Sequence, residues 1–457
     1  MREIVIVIPD LYLDPSPEDP WASSTGTRAN ARESVPAGTR ANARESVPAG
    51  TRANAREPVP AGIPPGAAAL GTMPGFEHAA RFGTRRSIAA DGGWRPWLAR
   101  WLGRPDLAPH APAPIAAAVS PATQAATTSP ASGSAACTSA TDTGLLTSPG
   151  RANATSAAPS TANRPTATTS TPREAGAAAG PSRISLSAVE PQRGYTAWLA
   201  TPVHLIAGLT NLHFDRRGIL RLPSEDLFTF AEDFNRTFGD PDLHLEPLPN
   251  GEFLLRGPAA WSAVTTEPAR ALVSDLETSL PKGNAATALK RLGAELEMWL
   301  HSHPLNDARQ RRGERTVSTL WLWGGGALES LQPSNAPPTD LACGTDPYLA
   351  GLWYLQGAPT HALPDRFGDL LSDPKPERAV LVPEITPLLQ TNPNWTVFEA
   401  LVDLDRLCLS PALAALHARS LETIILIAND LEVRLSPGNR LKFWRRRRPG
   451  IAVLQPP

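Results

Sequence analysis

Two short apolar runs sit at opposite ends of the chain, and each leads into an aspartate. Ile4-Val5-Ile6-Val7-Ile8 precedes Pro9-Asp10, and Thr423-Ile424-Ile425-Leu426-Ile427-Ala428 precedes Asn429-Asp430. Runs of this length, rich in β-branched residues and lacking a polar face, read as buried strands. In open α/β sheets the ligand site lies beyond the carboxyl ends of the strands. An acid placed just after such a strand is therefore positioned for metal or phosphate chemistry. Asp10 and Asp430 are the candidate metal ligands, expected to share one site.

Much of the chain between them cannot build a core. Residues 26–61 carry GTRANARESVPA twice and GTRANAREPVPA once, a tandem repeat almost without large apolar side chains. Solenoid repeats are longer and carry stacking apolar positions, so this segment reads as a flexible insertion expanded by duplication. From His110 to about Arg183 the chain is Ala, Thr, Ser and Pro, a second low-complexity linker that extends but does not pack. Thirteen of the 49 prolines fall in these two stretches, and with both removed the folded part is much smaller than the 457-residue length implies.

Charge excludes some partners. Lys+Arg of 43 against Asp+Glu of 44 gives no global field to select nucleic acid or an anionic membrane. Three widely spaced cysteines, Cys137, Cys343 and Cys408, form no CxxC pattern. They suit a reducing compartment, and the chain reads as cytoplasmic. The first apolar run stops at Pro9, too early for a signal sequence, and no run reaches the roughly 18 apolar residues of a membrane helix.

Elsewhere strands alternate with helices, which makes the fold class α/β. Pro74 to Gly83 and Trp94 to Gly103 read as short helices closed by glycine. Trp94, Trp97 and Trp101 fall at helical spacing, which favours core packing over a stacking platform for nucleic acid. Ser224 is the expected N-cap of an acidic-ended amphipathic helix. Leu289, Leu292, Leu296 and Trp299 mark one face of another, over 286–300. Thr316 to Trp323 reads as a strand running into Gly324-Gly325-Gly326, a loop that admits close approach to a phosphate or forms a structural turn. Arg216 and Arg217, beside a turn, suit carboxylate or phosphate because guanidinium donors match two oxygens at once. The competing reading is a solvated hairpin tip. His301 and His303 are two apart, the wrong spacing for a helical metal pair, and read as surface or capping residues. Lys442 and Arg445 to Arg448 form a basic tail.

Taken in order, these segments resemble the archaeal-type cofactor-independent phosphoglycerate mutases of the alkaline phosphatase superfamily. Ile4–Asp10 resembles the first strand with its metal aspartate, and Pro74–Gly83 the following helix. His213-Phe214-Asp215-Arg216-Arg217-Gly218 is similar to that family's Asp-Arg-Arg-Ala-Gly-Arg turn, and Leu320–Gly326 to its tryptophan-glycine-glutamine-glycine loop. Val397–Leu416 with Ile424–Asp430 resembles the last helix and strand. Ala197–Leu205 and Trp299-Leu300-His301 further resemble proteobacterial regulatory proteins of RpfE type. The resemblance implies a phosphatase-like mixed or mostly parallel sheet flanked by helices, with a smaller inserted α/β lobe. It divides the chain into a first core strand (1–14), a repeat insertion (15–66), core helices (67–109), a linker (110–190), the inserted lobe (191–312), the rest of the core (313–440) and a basic tail (441–457). It carries substrate contacts to Arg216 and Arg217 only; Gly324 and Gly325 are the further substrate-binding candidates, from the close-approach loop.

The departures fall on the chemistry. The family uses a serine nucleophile and two metal ions. Here the expected glycine-serine step is Gly93-Trp94, Asp430 is followed by Leu431 where histidine is expected, and Val380 to Asn394 holds no Asp-x-x-x-His motif. The first expectation is thus a degenerate mutase-like regulatory protein without phosphoryl transfer or bound cofactor, binding a small anionic ligand or a protein partner. The second is an active mutase or phosphatase dependent on manganese or magnesium, with missing ligands supplied by His204, His361 or His417. A third has the linker and tail recruiting partners while the α/β body holds them.

Overall fold

The computed structural model describes residues 1–11, 73–119, 194–207, 212–213, 216–272, 276–328, 331, 333–334, 340–371, 376–428 and 430–438. The tandem repeat, most of the Ala/Thr/Ser/Pro linker, Asp215 and the basic tail lie outside them.

The larger unit is a six-stranded mixed sheet. Its strands are β1 (Glu3–Ile8), β2 (Thr84–Ser87), β9 (Leu341–Gly344), β10 (Arg378–Val382), β11 (Thr423–Ala428) and β12 (Leu431–Leu435), in the order β2-β12-β11-β1-β10-β9. β11, β1, β10 and β9 are mutually parallel, and β12 and β2 add antiparallel at one edge. Alternation along β1 explains its unbroken apolar run. Ile4, Ile6 and Ile8 join a cluster with Phe76, Leu401 and Leu409 on one face, while Val5 and Val7 join Trp94, Leu98 and Trp353 on the other. The α/β class and the mostly parallel sheet flanked by helices are as expected.

The smaller lobe is a four-stranded antiparallel sheet in the order β6-β7-β3-β8. It comprises β3 (Tyr195–Val203), β6 (His244–Pro247), β7 (Phe253–Pro258) and β8 (Thr319–Ala327). β4 (Ile206–Ala207) and β5 (Leu212–His213) form a separate two-stranded ribbon. The helices Ser224–Thr237 and Ala286–His301 cover one face, burying Phe230, Phe234, Leu289 and Leu296 against Trp198 and Phe253. A fully buried leucine such as Leu296 contributes about 1.5–3 kcal/mol. Ser224 is the first helical residue and not the cap, since Pro223 occupies that position without a side-chain bond. His303 does cap, accepting from the Leu305 amide at 3.2 Å.

Two boundaries differ from the sequence reading. β8 pairs along its length with β3, so residues 319–327 belong to the smaller lobe, and the glycines lie within a strand. The linker does not begin at 110. Pro112–Ala116 is helical, with Ala113, Ile115 and Ala116 fully buried. Small side chains let this segment enter a narrow crevice. A Cβ at Gly351 would collide with the Ile115 backbone, and one at Gly324 with the Pro112 ring. Composition alone hides this, because alanine and proline pack wherever glycine lets the backbone close in. Among the described residues no helix is long and apolar enough to cross a membrane.

Candidate functional site

The parallel register Ile4↔Ile424 through Ile8↔Ala428 brings the carboxyl ends of β1 and β11 side by side. Asp10 and Asp430 each follow two residues later. The other two parallel strands repeat the arrangement. Glu384 lies two residues beyond β10 and Asp346 two beyond β9. In strand order the carboxyl edge therefore carries Asp430, Asp10, Glu384 and Asp346. The last two escaped the sequence reading, although Val382-Pro383-Glu384 mirrors Ile8-Pro9-Asp10 and was the available signal.

Each acid is already engaged. Asp10 accepts from the amides of Ile385 at 2.9 Å and Thr386 at 2.7 Å, at the start of the helix Ile385–Thr391. Asp346 caps the helix Pro347–Tyr354, accepting from Tyr348 and Leu349, and faces Arg95 at 3.4 Å. Arg95 also binds Glu267 at 2.8 Å. Arg221 bridges Glu252 at 2.7 Å and Glu384 at 2.9 Å. Asp430, held at φ +59°, receives Arg270 at 2.6 Å. Arg221 and Arg270 come from the smaller lobe, so these ion pairs also tie the lobes together.

Electrostatics follow the burial. Burial pushes the Glu384 carboxyl up to about 7; Arg221 opposes the shift, and the charges of Asp10 and Asp346 add to it. Burial likewise raises Asp346 against the pull of Arg95. Burial pulls Arg221 down, but Glu252 and Glu384 outweigh it and hold the guanidinium above its ordinary value. Arg216 is lowered by burial, with Asp10 opposing. Asp10, Arg95, Arg221, Glu252, Asp346 and Glu384 enclose a cavity of about 30 Å³, the space of roughly one water.

This donor set does not fit a two-metal centre. Both Asp10 oxygens are bonded to amides, Asp430 is paired with Arg270, and among the described residues no three His, Cys, Asp or Glu side chains form a metal-holding group. The histidines proposed as replacement ligands are dispersed. His204 bonds the Thr316 carbonyl at 2.8 Å in another cleft, His361 lies exposed beside β9, and His417 stacks edge-on with His78. Gly93 does reach the site. It precedes the helix Trp94–Trp101 at φ +88°, and a Cβ there would lie 3.0 Å from an Asp430 oxygen. Trp94 is only 4% exposed, packed edge-on to Tyr348.

Gly324 and Gly325 offer no anion cradle. The Gly324 amide donates to the Thr265 hydroxyl at 3.0 Å, and the Trp198 ring occupies the space where a Gly325 side chain would be. Arg216 and Arg217 lie in the turn Arg216–Gly218. Arg217 donates to the Trp395 carbonyl at 2.7 Å and lines a cleft of about 470 Å³ between the lobes. Arg221, Arg309 and Arg315 line it too, beside Glu314; Arg309 is paired with Asp226 at 2.9 Å and with Glu314 at 3.2 Å.

No family model and no curated protein matches the chain. Among solved structures it is similar to the cofactor-independent phosphoglycerate mutase from Thermoplasma acidophilum DSM 1728. That alignment covers 54% of this chain and 68% of the other, at 15% identity and a TM-score of 0.25. A protein from Pyrococcus horikoshii aligns over 53% of this chain and 64% of its own length, at 13% identity and a TM-score of 0.27. The chain thus spans about two thirds of the length of these distant structural neighbours.

Proposed function

We propose that this chain is a cytoplasmic, phosphoglycerate-mutase-like regulatory protein of RpfE type that transfers no phosphoryl group and binds a small anion in the arginine cleft between its lobes. The observation that carries the reading is Arg217. Arg221 is paired with Glu252 and Glu384, and Arg309 with Asp226 and Glu314, whereas Arg217 lines the cleft bonded to the Trp395 carbonyl and has no acidic partner among the described residues. A phosphate or carboxylate in the cleft gives Arg217 an acidic partner in bidentate geometry. Absence of turnover is supported by Trp94 in the nucleophile position of the resembled family and by the prior engagement of all four edge carboxylates. An anion closing the cleft contacts both lobes, so its binding is suited to changing a surface that a partner protein reads.

Calorimetric titration of the full chain with inorganic phosphate and with 3-phosphoglycerate tests this. Saturable binding weakened at least tenfold by Arg217→Ala, and partly retained by Arg217→Lys, is expected. Unchanged affinity in Arg217→Ala overturns the assignment of the cleft.

A second reading, an active metal-dependent mutase or phosphatase, is favoured by the row of four carboxylates at one sheet edge. It predicts turnover in manganese or magnesium that is abolished by Asp10→Ala or Asp430→Ala.

A further inference from the structure

The smaller lobe ends its sheet on β8, whose outer edge is only half covered. Pro202 of β3 lies opposite Leu320, and its carbonyl turns away from β8 to accept from the Leu220 amide at 2.8 Å. The Pro202–Leu320 pair is therefore of the non-hydrogen-bonded type, and the N–H and C=O of Leu320 point to the free edge. Alternation puts the same groups of Leu322 and Gly324 there. The Gly324 amide confirms the phase, since it donates outward to Thr265, and Trp321 bonds the neighbouring Thr266 carbonyl. That loop covers the second half of the strand. Among the described residues these outward groups of Leu320 and Leu322 have no hydrogen-bond partner, although the two residues are only 4% and 8% exposed.

The uncovered half opens into an apolar groove of about 300 Å³. Leu289, Gly293 and Ala294 of the helix Ala286–His301 form one wall, and Leu276 and Leu280 the other. Gly293 has nothing within 4 Å of where its Cβ would stand, which leaves the groove open. Thr319 lines it at 6% exposure, and its buried hydroxyl has no hydrogen-bond partner among the described residues. Buried polar groups are seldom left unpaired, and a row of backbone donors and acceptors in an apolar trough matches an extended peptide better than a small ligand. Lys290 and Glu297, at the mouth, carry opposite charges and select no net charge.

We propose that an extended, uncharged peptide segment of a partner protein adds as a fifth strand along Thr319–Leu322, with alternate apolar side chains seated in this groove. The backbone of the peptide supplies the partners that Leu320 and Leu322 lack. This surface is separate from the arginine cleft.

The test uses the full chain and a fluorescent peptide, Gln-Thr-Val-Thr-Val-Thr-Gln, capped at both ends, beside the same peptide N-methylated at every threonine and valine. Saturable binding of the first by anisotropy, weakened at least tenfold by N-methylation and by Gly293→Leu, is expected. Methylation removes donors while keeping the apolar side chains, so equal binding of both peptides overturns strand addition. Absence of saturable binding up to about 1 mM overturns the site itself.

Discussion

Glu384 and Arg221 meet at 2.9 Å across the boundary between the two sheets, the glutamate buried and the arginine side chain 17% exposed. A charge inside a protein is costly unless paired, and removing one member of a buried pair exposes that cost. Arg221→Ala strands Glu252 as well as Glu384, so it is expected to lower stability by about 3–5 kcal/mol. Replacing Arg221 and Glu384 together by methionine is expected to cost less than the single change. Urea denaturation of the three proteins checks the order.

The raised carboxyl of Glu384 has a signed consequence. Its folded value of about 7 lies above the ordinary 4.5, so protonation favours the folded state. The stability it contributes is complete below about 4.5 and lost as pH rises through about 7. Glu384→Gln removes that titration. The urea midpoint of the variant relative to wild type is expected to climb between pH 4.5 and 7, by up to about 3 kcal/mol. A parallel pair of pH profiles contradicts it.

Trp94 is part of the core and cannot be exchanged for a nucleophile. Trp94→Ser deletes a buried ring and is expected to cost about 3–5 kcal/mol without producing mutase or phosphatase turnover, because Asp10 and Asp430 stay bonded elsewhere. Thermal melting and a coupled assay on the same preparation read both halves.

Gly351 tests the packing of the short helix Pro112–Ala116. Its missing Cβ makes room for the Ile115 backbone, so Gly351→Ala is expected to destabilise by about 1–3 kcal/mol through overpacking. Gly368→Ala, with open space around it, serves as the control.

Sequence alone made the central strands legible because β1 and β11 are buried on both faces and contain little else. It also placed Asp10 and Asp430 on neighbouring strand ends. It did not reveal their partners. Arg95, Arg221 and Arg270 approach from a helix and from the other lobe, and nothing local marks an arginine as the counter-ion of an acid 160 or more residues away. Asp346 was hidden for another reason. Leu341-Ala342-Cys343-Gly344 is short and weakly branched, and its strand character comes from pairing with β10. The triple glycine misled because close approach is real there, but the approaching groups are Pro112 and Trp198 and not an anion.

Guanidinium and amide groups satisfy the carboxylates at the sheet edge. Manganese titration of the purified full chain, with mutase and phosphatase turnover followed in the same cell, tests it most directly. No stoichiometric binding and no turnover are expected. Two tightly held ions with turnover abolished by Asp10→Ala or Asp430→Ala would contradict it.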